Sequence, residues 1–131
     1  MFLGTFEILL TDNNRLSLPK KIRQELGSQN LVITIGFDKC VFGFAEKSWD
    51  DKTKLELERP LFSDLDGRNL RRKMFSQAEK INLDAQGRFV LADTMVSYAE
   101  IEKNIVIIGA GDHFEIWSKE KWEEYRVRIE K

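Results

Sequence analysis

At 131 residues the chain is about one domain long, and its 33% charged and 42% hydrophobic side chains exclude a disordered polyelectrolyte. A lone cysteine, Cys40, excludes an internal disulfide and any Cys-x-x-Cys or Cys/His zinc spacing. No stretch approaches the roughly 20 apolar residues of a membrane span, and the start MFLGTFEILL lacks a secretory leader's basic region. A reducing, cytoplasmic setting without membrane contact is therefore expected, and the formal net charge of −1 supplies no global attraction to nucleic acid.

In chain order, Phe6–Leu10 carries a short apolar pattern that runs into the turn residues of TDNN, and RLSL (15–18) follows at once, so strand, turn, strand is predicted. PKKIRQEL (19–26) reads as a helix with Pro19 at its first position. LVITI and CVFGF read as strands, and EKSWDDKTKLELE (46–58) as a charged amphipathic helix. DGRNLRRKMF (66–75) sets Leu70, Met74 and Phe75 on a helical stripe ringed by Arg68, Arg71, Arg72 and Lys73. Gln77–Leu83 is predicted as a strand, with the turn NLDAQG leading into RFVL (88–91). A helix over 92–101, strands at IVIIG and FEIW, and a closing helix over 119–131 complete the order.

That order occurs twice. A shift of 73 lays Arg15-Leu16-Ser17-Leu18 on Arg88-Phe89-Val90-Leu91 and Trp49 on Trp122, and a shift of 74 lays NLVIT (30–34) on NIVII (104–108). The chain divides into similar repeats at 1–58 and 74–131 joined by a basic connection at 59–73, the two repeats expected to form one α+β, β-rich unit. Charge is uneven: +1 over 1–30, −2 over 31–65, +3 over 66–92 and −3 over 93–131. Both segments that carry a polar loop are positive.

The two loops hold the candidate site. Arg15 and Arg88 stand at equivalent loop ends, and an arginine fork suits phosphate oxygens or a guanine edge. Lys20, Lys21 and Arg23 follow Arg15 and would add phosphate contacts, or lie solvated; Asn13 and Asn14 form the turn and could also meet a base edge. Asp84, Gly87 and Asp12 are expected to shape the loops, with Asp84 accepting from Arg88 or from turn N–H groups. Trp49, Trp117 and Trp122 recur at matching places, as packing anchors would. His113, the only histidine, lies opposite Cys40, and no set of acid, base and nucleophile converges, so neither an enzyme, a cofactor, a metal nor a small-molecule substrate is expected.

The DxxxR pattern Asp84-Ala85-Gln86-Gly87-Arg88, the opening MFLG, GFDKCVFGF (36–44) and GAGDHFEIWSKEKWEEY (109–125) together resemble the MraZ family of bacterial transcriptional regulators, from Met1 to Tyr125. The resemblance implies a tandem-duplicated swapped-hairpin barrel of the AbrB/MazE type with peripheral helices. It also implies a ring-shaped homo-oligomer in the nucleoid that binds short direct repeats in double-stranded promoter DNA of its own division and cell-wall gene cluster, usually to repress it. The first loop departs from the pattern: Thr11 stands where Asp84 does, and Asn14 where Gly87 does. Ile35 stands where the family often has an arginine, and Ala92 and Asp93 stand opposite Pro19 and Lys20. Arg15, freed from a carboxylate and followed by basic residues, is accordingly expected to be the stronger DNA contact. The alternative reading is an oligomeric protein-interaction or antitoxin-like module that binds no DNA.

Overall fold

The computed structural model describes residues 1–130; Lys131, the end of the predicted closing helix, lies outside the described residues. The first repeat runs β1 (Thr5–Leu9), a 3-10 turn (Asp12–Asn14), β2 (Arg15–Ser17), α1 (Lys20–Leu26), β3 (Asn30–Ile35), β4 (Val41–Ala45) and α2 (Glu46–Leu57). A helix, α3 (Leu65–Gln77), connects it to the second. There β5 (Glu79–Asn82), β6 (Arg88–Val90), α4 (Asp93–Tyr98), β7 (Asn104–Gly109), β8 (Phe114–Ser118) and α5 (Lys119–Ile129) follow. Boundaries shift in places: α3 runs through Gln77, so the strand predicted from 77 begins at Glu79; the helix predicted over 92–101 spans Asp93–Tyr98; and Pro19, expected at the first helical position, is the N-cap of α1.

Strands are exchanged between the repeats. The six-stranded antiparallel sheet has the order β1-β7-β8-β4-β3-β5, so β1 pairs with β7 of the second repeat and β5 with β3 of the first. β2 and β6 pair with each other in a separate ribbon. The hydrogen bonds that bind the crossings come in matched pairs. Leu10 N–H donates to the Lys103 carbonyl as Leu83 N–H does to Gln29, and Leu18 N–H donates to Gly87 as Leu91 N–H does to Asn14. These equivalences follow the repeat, giving the sheet a pseudo-two-fold between β4 and β8. The expected closed barrel is not formed: β1 and β5 end the sheet at opposite edges, and the ribbon pairs only with itself.

Alternation along the strands sorts side chains into two layers. Leu31, Ile33, Ile105, Ile107, Phe114 and Ile116 join Leu16 and Phe89 from the ribbon, Ile22 and Leu26 from α1 and Met95 from α4 in one core. On the opposite sheet face α2 and α3 cover β3, and α5 lies on β7 and β8. There Trp49 meets Phe44 and Phe75 edge to face, and Trp117 packs on Trp122 and Tyr125. Burying Leu16 or Phe89 contributes about 2–3 kcal/mol each, and it is this burial that fixes the ribbon's other face toward solvent.

Candidate nucleic-acid interface

The ribbon carries the loop arginines because its alternation leaves them no other side. Leu16 and Phe89 are directly opposite and buried, so Arg15, Ser17, Arg88 and Val90 project outward. Arg15 faces Val90 and Ser17 faces Arg88, which makes the two arginines diagonal neighbours on one surface. The strand pairing thus joins side chains that lie 73 residues apart in the chain.

The two loops reach similar backbones by different chemistry. In the second, Asp84 accepts from the N–H groups of Gln86 and Arg88, both at 2.9 Å, and from Arg88 Nε at 2.9 Å. The Arg88 backbone bond, opposed by partial desolvation and aided by the guanidinium, holds the Asp84 carboxyl below the usual carboxylate range. In the first, Thr11 occupies that place and closes the turn by donating both its N–H and its hydroxyl to the Arg15 carbonyl. Asn14 (φ 58°) takes the left-handed conformation that Gly87 (φ 74°) takes in the other loop, and Asn13 (φ 66°) shares it. Asparagine is among the few non-glycine residues that tolerate this region, so the replacement of glycine keeps the turn.

The Arg15 side chain is exposed, and its guanidinium makes no hydrogen bond or ion pair among the described residues. Arg88 is held by Asp84 but keeps 37% of its side chain exposed, with Nη atoms free of that bond. Lys20 and Lys21 are exposed on the first turn of α1, and Asp12 is exposed at the start of the 3-10 turn.

Strand exchange changes who neighbours whom. A Cβ added to Gly87 would lie 2.3 Å from Arg23 Cδ and 2.8 Å from its Nη1, so the α1 arginine lies across the second repeat's loop, its Nε buried without an acceptor among the described residues. Asn14, in the first loop, donates to Asp93 at the start of α4 at 3.1 Å. Of the basic residues after Arg15, Arg23 therefore adjoins Arg88's loop, and the loop of Arg15 borders a carboxylate. Asp93 stands opposite Lys20 in the repeat, and the pairing of β2 with β6 swaps their partners.

His113 and Cys40 lie away from this surface. His113 is flanked by Asp112 on Nδ1 and Glu115 on Nε2, both at 2.8 Å, and burial, which lowers its pKa, is outweighed by these two carboxylates, which raise it. Cys40 is buried beside the Phe37 carbonyl, and burial first, then the charge of Glu115, push its thiol well above the ordinary range. Among the described residues no group of three His, Cys, Asp or Glu could hold a metal ion, and no helix is long and apolar enough to cross a membrane.

The model of a family described as "MraZ protein, putative antitoxin-like" matches residues 1–72 and 74–131. A protein of Roseiflexus castenholzii named transcriptional regulator MraZ is 38% identical over 123 residues, covering 94% of this chain and 85% of its own. Proteins of the same name from Oenococcus oeni (38% over 125 residues) and Syntrophomonas wolfei (39% over 125) each match 95% of this chain and 86% of theirs. With both repeats matched and relatives aligned almost end to end, the chain belongs to the MraZ family.

Proposed function

We propose that the chain is a sequence-specific DNA-binding transcriptional regulator, a repressor of its own division and cell-wall gene cluster in the cytoplasm and nucleoid. The observation that carries the reading is the outward face of the β2–β6 ribbon, where Arg15, its guanidinium unpaired among the described residues, and the partly exposed Arg88 are diagonal neighbours, with Lys20 and Lys21 exposed on α1, which follows β2. Two forked cations on a rigid ribbon suit contacts in a groove, and the lysines suit backbone phosphates. The relatives' shared name supports regulation of transcription over catalysis. The exchange of β1 and β5 supports a swapped-hairpin unit of the AbrB/MazE type built from repeats 1–58 and 74–131 with 59–73 between them. One such face makes few contacts, so useful affinity comes from a ring-shaped homo-oligomer engaging several short direct repeats at once.

The test is fluorescence anisotropy with a duplex spanning the DNA upstream of the protein's own gene, titrated from 50 to 200 mM salt. Arg15→Ala and Arg88→Ala each weaken binding, and each phosphate contact removed flattens the log–log salt slope by about 0.9. Wild-type affinity and slope in both variants would reject the ribbon face. Absence of any salt-sensitive complex with the wild type favours the interaction-module reading instead.

A further inference from the structure

The connection between the repeats builds a feature that the DNA reading does not use. Five large apolar side chains between residues 55 and 65 are more than half exposed: Leu55, Leu57, Leu61, Phe62 and Leu65, with Phe62 at 93%. Such clustering is unusual on a surface with no role. Nor is the turn that presents Phe62 left loose. Arg68 Nη1 donates to the carbonyls of Leu61 and Phe62 at 3.0 Å, and Arg71 Nη2 to those of Glu56, Leu57 and Arg59 at 2.8–3.2 Å. Arg59 bridges Glu56 and Asp64, and Asp64 caps α3 through the N–H of Gly67. Three arginines are spent on holding an aromatic tip out in water.

Beside this corner, between α2, α3 and the sheet, opens a cavity of about 250 Å3 lined by Phe37, Trp49, Leu55, Leu70, Met74 and Phe75. Apolar cavities of about 150 Å3 accept a benzene ring, so this one has room for a phenyl side chain. Phe62 does not fill it within its own chain, since it is almost wholly exposed.

We propose that Phe62 of one copy of this chain inserts into the α2–α3 cavity of another. The proposal rests on the oligomeric part of the function proposed above and names its contact. A rigid apolar knob and an apolar hole of matching size on one chain form a self-complementary pair of surfaces, and one contact accounts for both. It also assigns the basic segment: Arg68 and Arg71 shape the knob and the floor of the hole, whatever Arg72 and Lys73 do.

The test is sedimentation of the full chain as wild type, Phe62→Glu (knob removed) and Leu70→Trp (hole filled), with circular dichroism to establish that each variant folds. Phe62→Glu, at an exposed position, raises the concentration at which the wild-type assembly half-dissociates by about 30-fold or more, the effect of losing one central anchor. Each variant alone is monomeric where the wild type is assembled. An equal mixture of the two, which restores one knob and one hole, forms a one-to-one pair. Wild-type mass in Phe62→Glu, a mixture that stays monomeric, or a monomeric wild type overturns the contact. Saturable binding of 1-octanol that is lost in Leu70→Trp, with the mass of Phe62→Glu unchanged, overturns it too and assigns the cavity to a small molecule. Retained mass in Phe62→Glu with retained DNA binding leaves the regulator reading standing, whereas loss of DNA binding in the ribbon variants leaves this contact untouched.

Discussion

Replacing Gly87 with alanine probes the join between the two repeats directly, because two separate costs meet there. Its φ of 74° lies in the left-handed region, which costs an alanine about 1–2 kcal/mol. The new Cβ would also sit 2.3 Å from Arg23 Cδ, far inside contact distance, so the arginine stem must leave its place over the loop. Losing the burial of roughly one methylene adds about 1 kcal/mol. The sum, about 2–3 kcal/mol, lowers the melting midpoint by roughly 6–15 °C in a chain of this length. Urea denaturation of Gly87→Ala, Arg23→Ala and the double variant separates the two costs. With Arg23 truncated only the backbone cost remains, so a coupling of about 1 kcal/mol is expected. Gly87→Asn should relieve the backbone cost, as Asn14 does at the equivalent turn, while retaining the clash. A coupling indistinguishable from zero would refute the placement of Arg23 across the second loop.

The charge polarity of the ribbon makes Asp93→Asn a gain-of-affinity variant. The asparagine can still accept from Asn14, and removing the carboxylate beside the Arg15 loop should tighten the complex several-fold at 0.1 M salt by anisotropy. The gain should vanish toward 1 M, where screening shortens from about 10 Å to about 3 Å. His113 should make stability fall with rising pH. Its folded pKa is raised by Glu115 and Asp112 against the effect of burial, so its contribution is complete below the unfolded value near 6.5 and is lost as pH rises through the folded value. Urea midpoints measured across that window should decline for the wild type and flatten in His113→Gln, which at low pH forfeits a charged hydrogen bond of about 1.5 kcal/mol. A wild-type profile flat across the window would contradict that protonation.

Most elements were legible because each has a local cause. The alternation in RLSL and RFVL, the proline before α1 and the apolar spacing of α3 act within a few residues, and the elements appear where those patterns lie. Gln77 failed for the same reason. A polar residue between an α-helical stripe and a strand carries little periodicity, and α3 runs on through it to a C-cap at Ala78. The absence of a closed barrel was not legible at all, since closure depends on whether β1 and β5 meet, and each is instead satisfied by a strand of the opposite repeat.

The candidate site shows how far local reading reaches. Arg15, Lys20, Lys21 and Arg23 are close in the chain, and by that proximity alone the first loop, without its aspartate, collects the cations. Pairing β2 with β6 separates them: Arg23 crosses to Gly87, while Asn14 turns to Asp93. A scaffold with nearly two-fold backbone symmetry is thereby given two chemically different ends, one with Arg23 across the loop of an arginine clamped by Asp84, the other with an unclamped arginine whose loop borders Asp93. A palindromic half-site would meet unequal partners on such a face, so the asymmetry favours a docking with one polarity. The loop that departs from the DxxxR pattern supplies an unclamped fork, and the loop that keeps it supplies a clamped one with Arg23 beside it. On electrostatic grounds alone the second loop is expected to be the stronger anchor for the proposed DNA contact. If Arg88→Ala lowers affinity more than Arg15→Ala at low salt and the two converge as salt rises, the difference lies in that surrounding charge and not in the forks themselves.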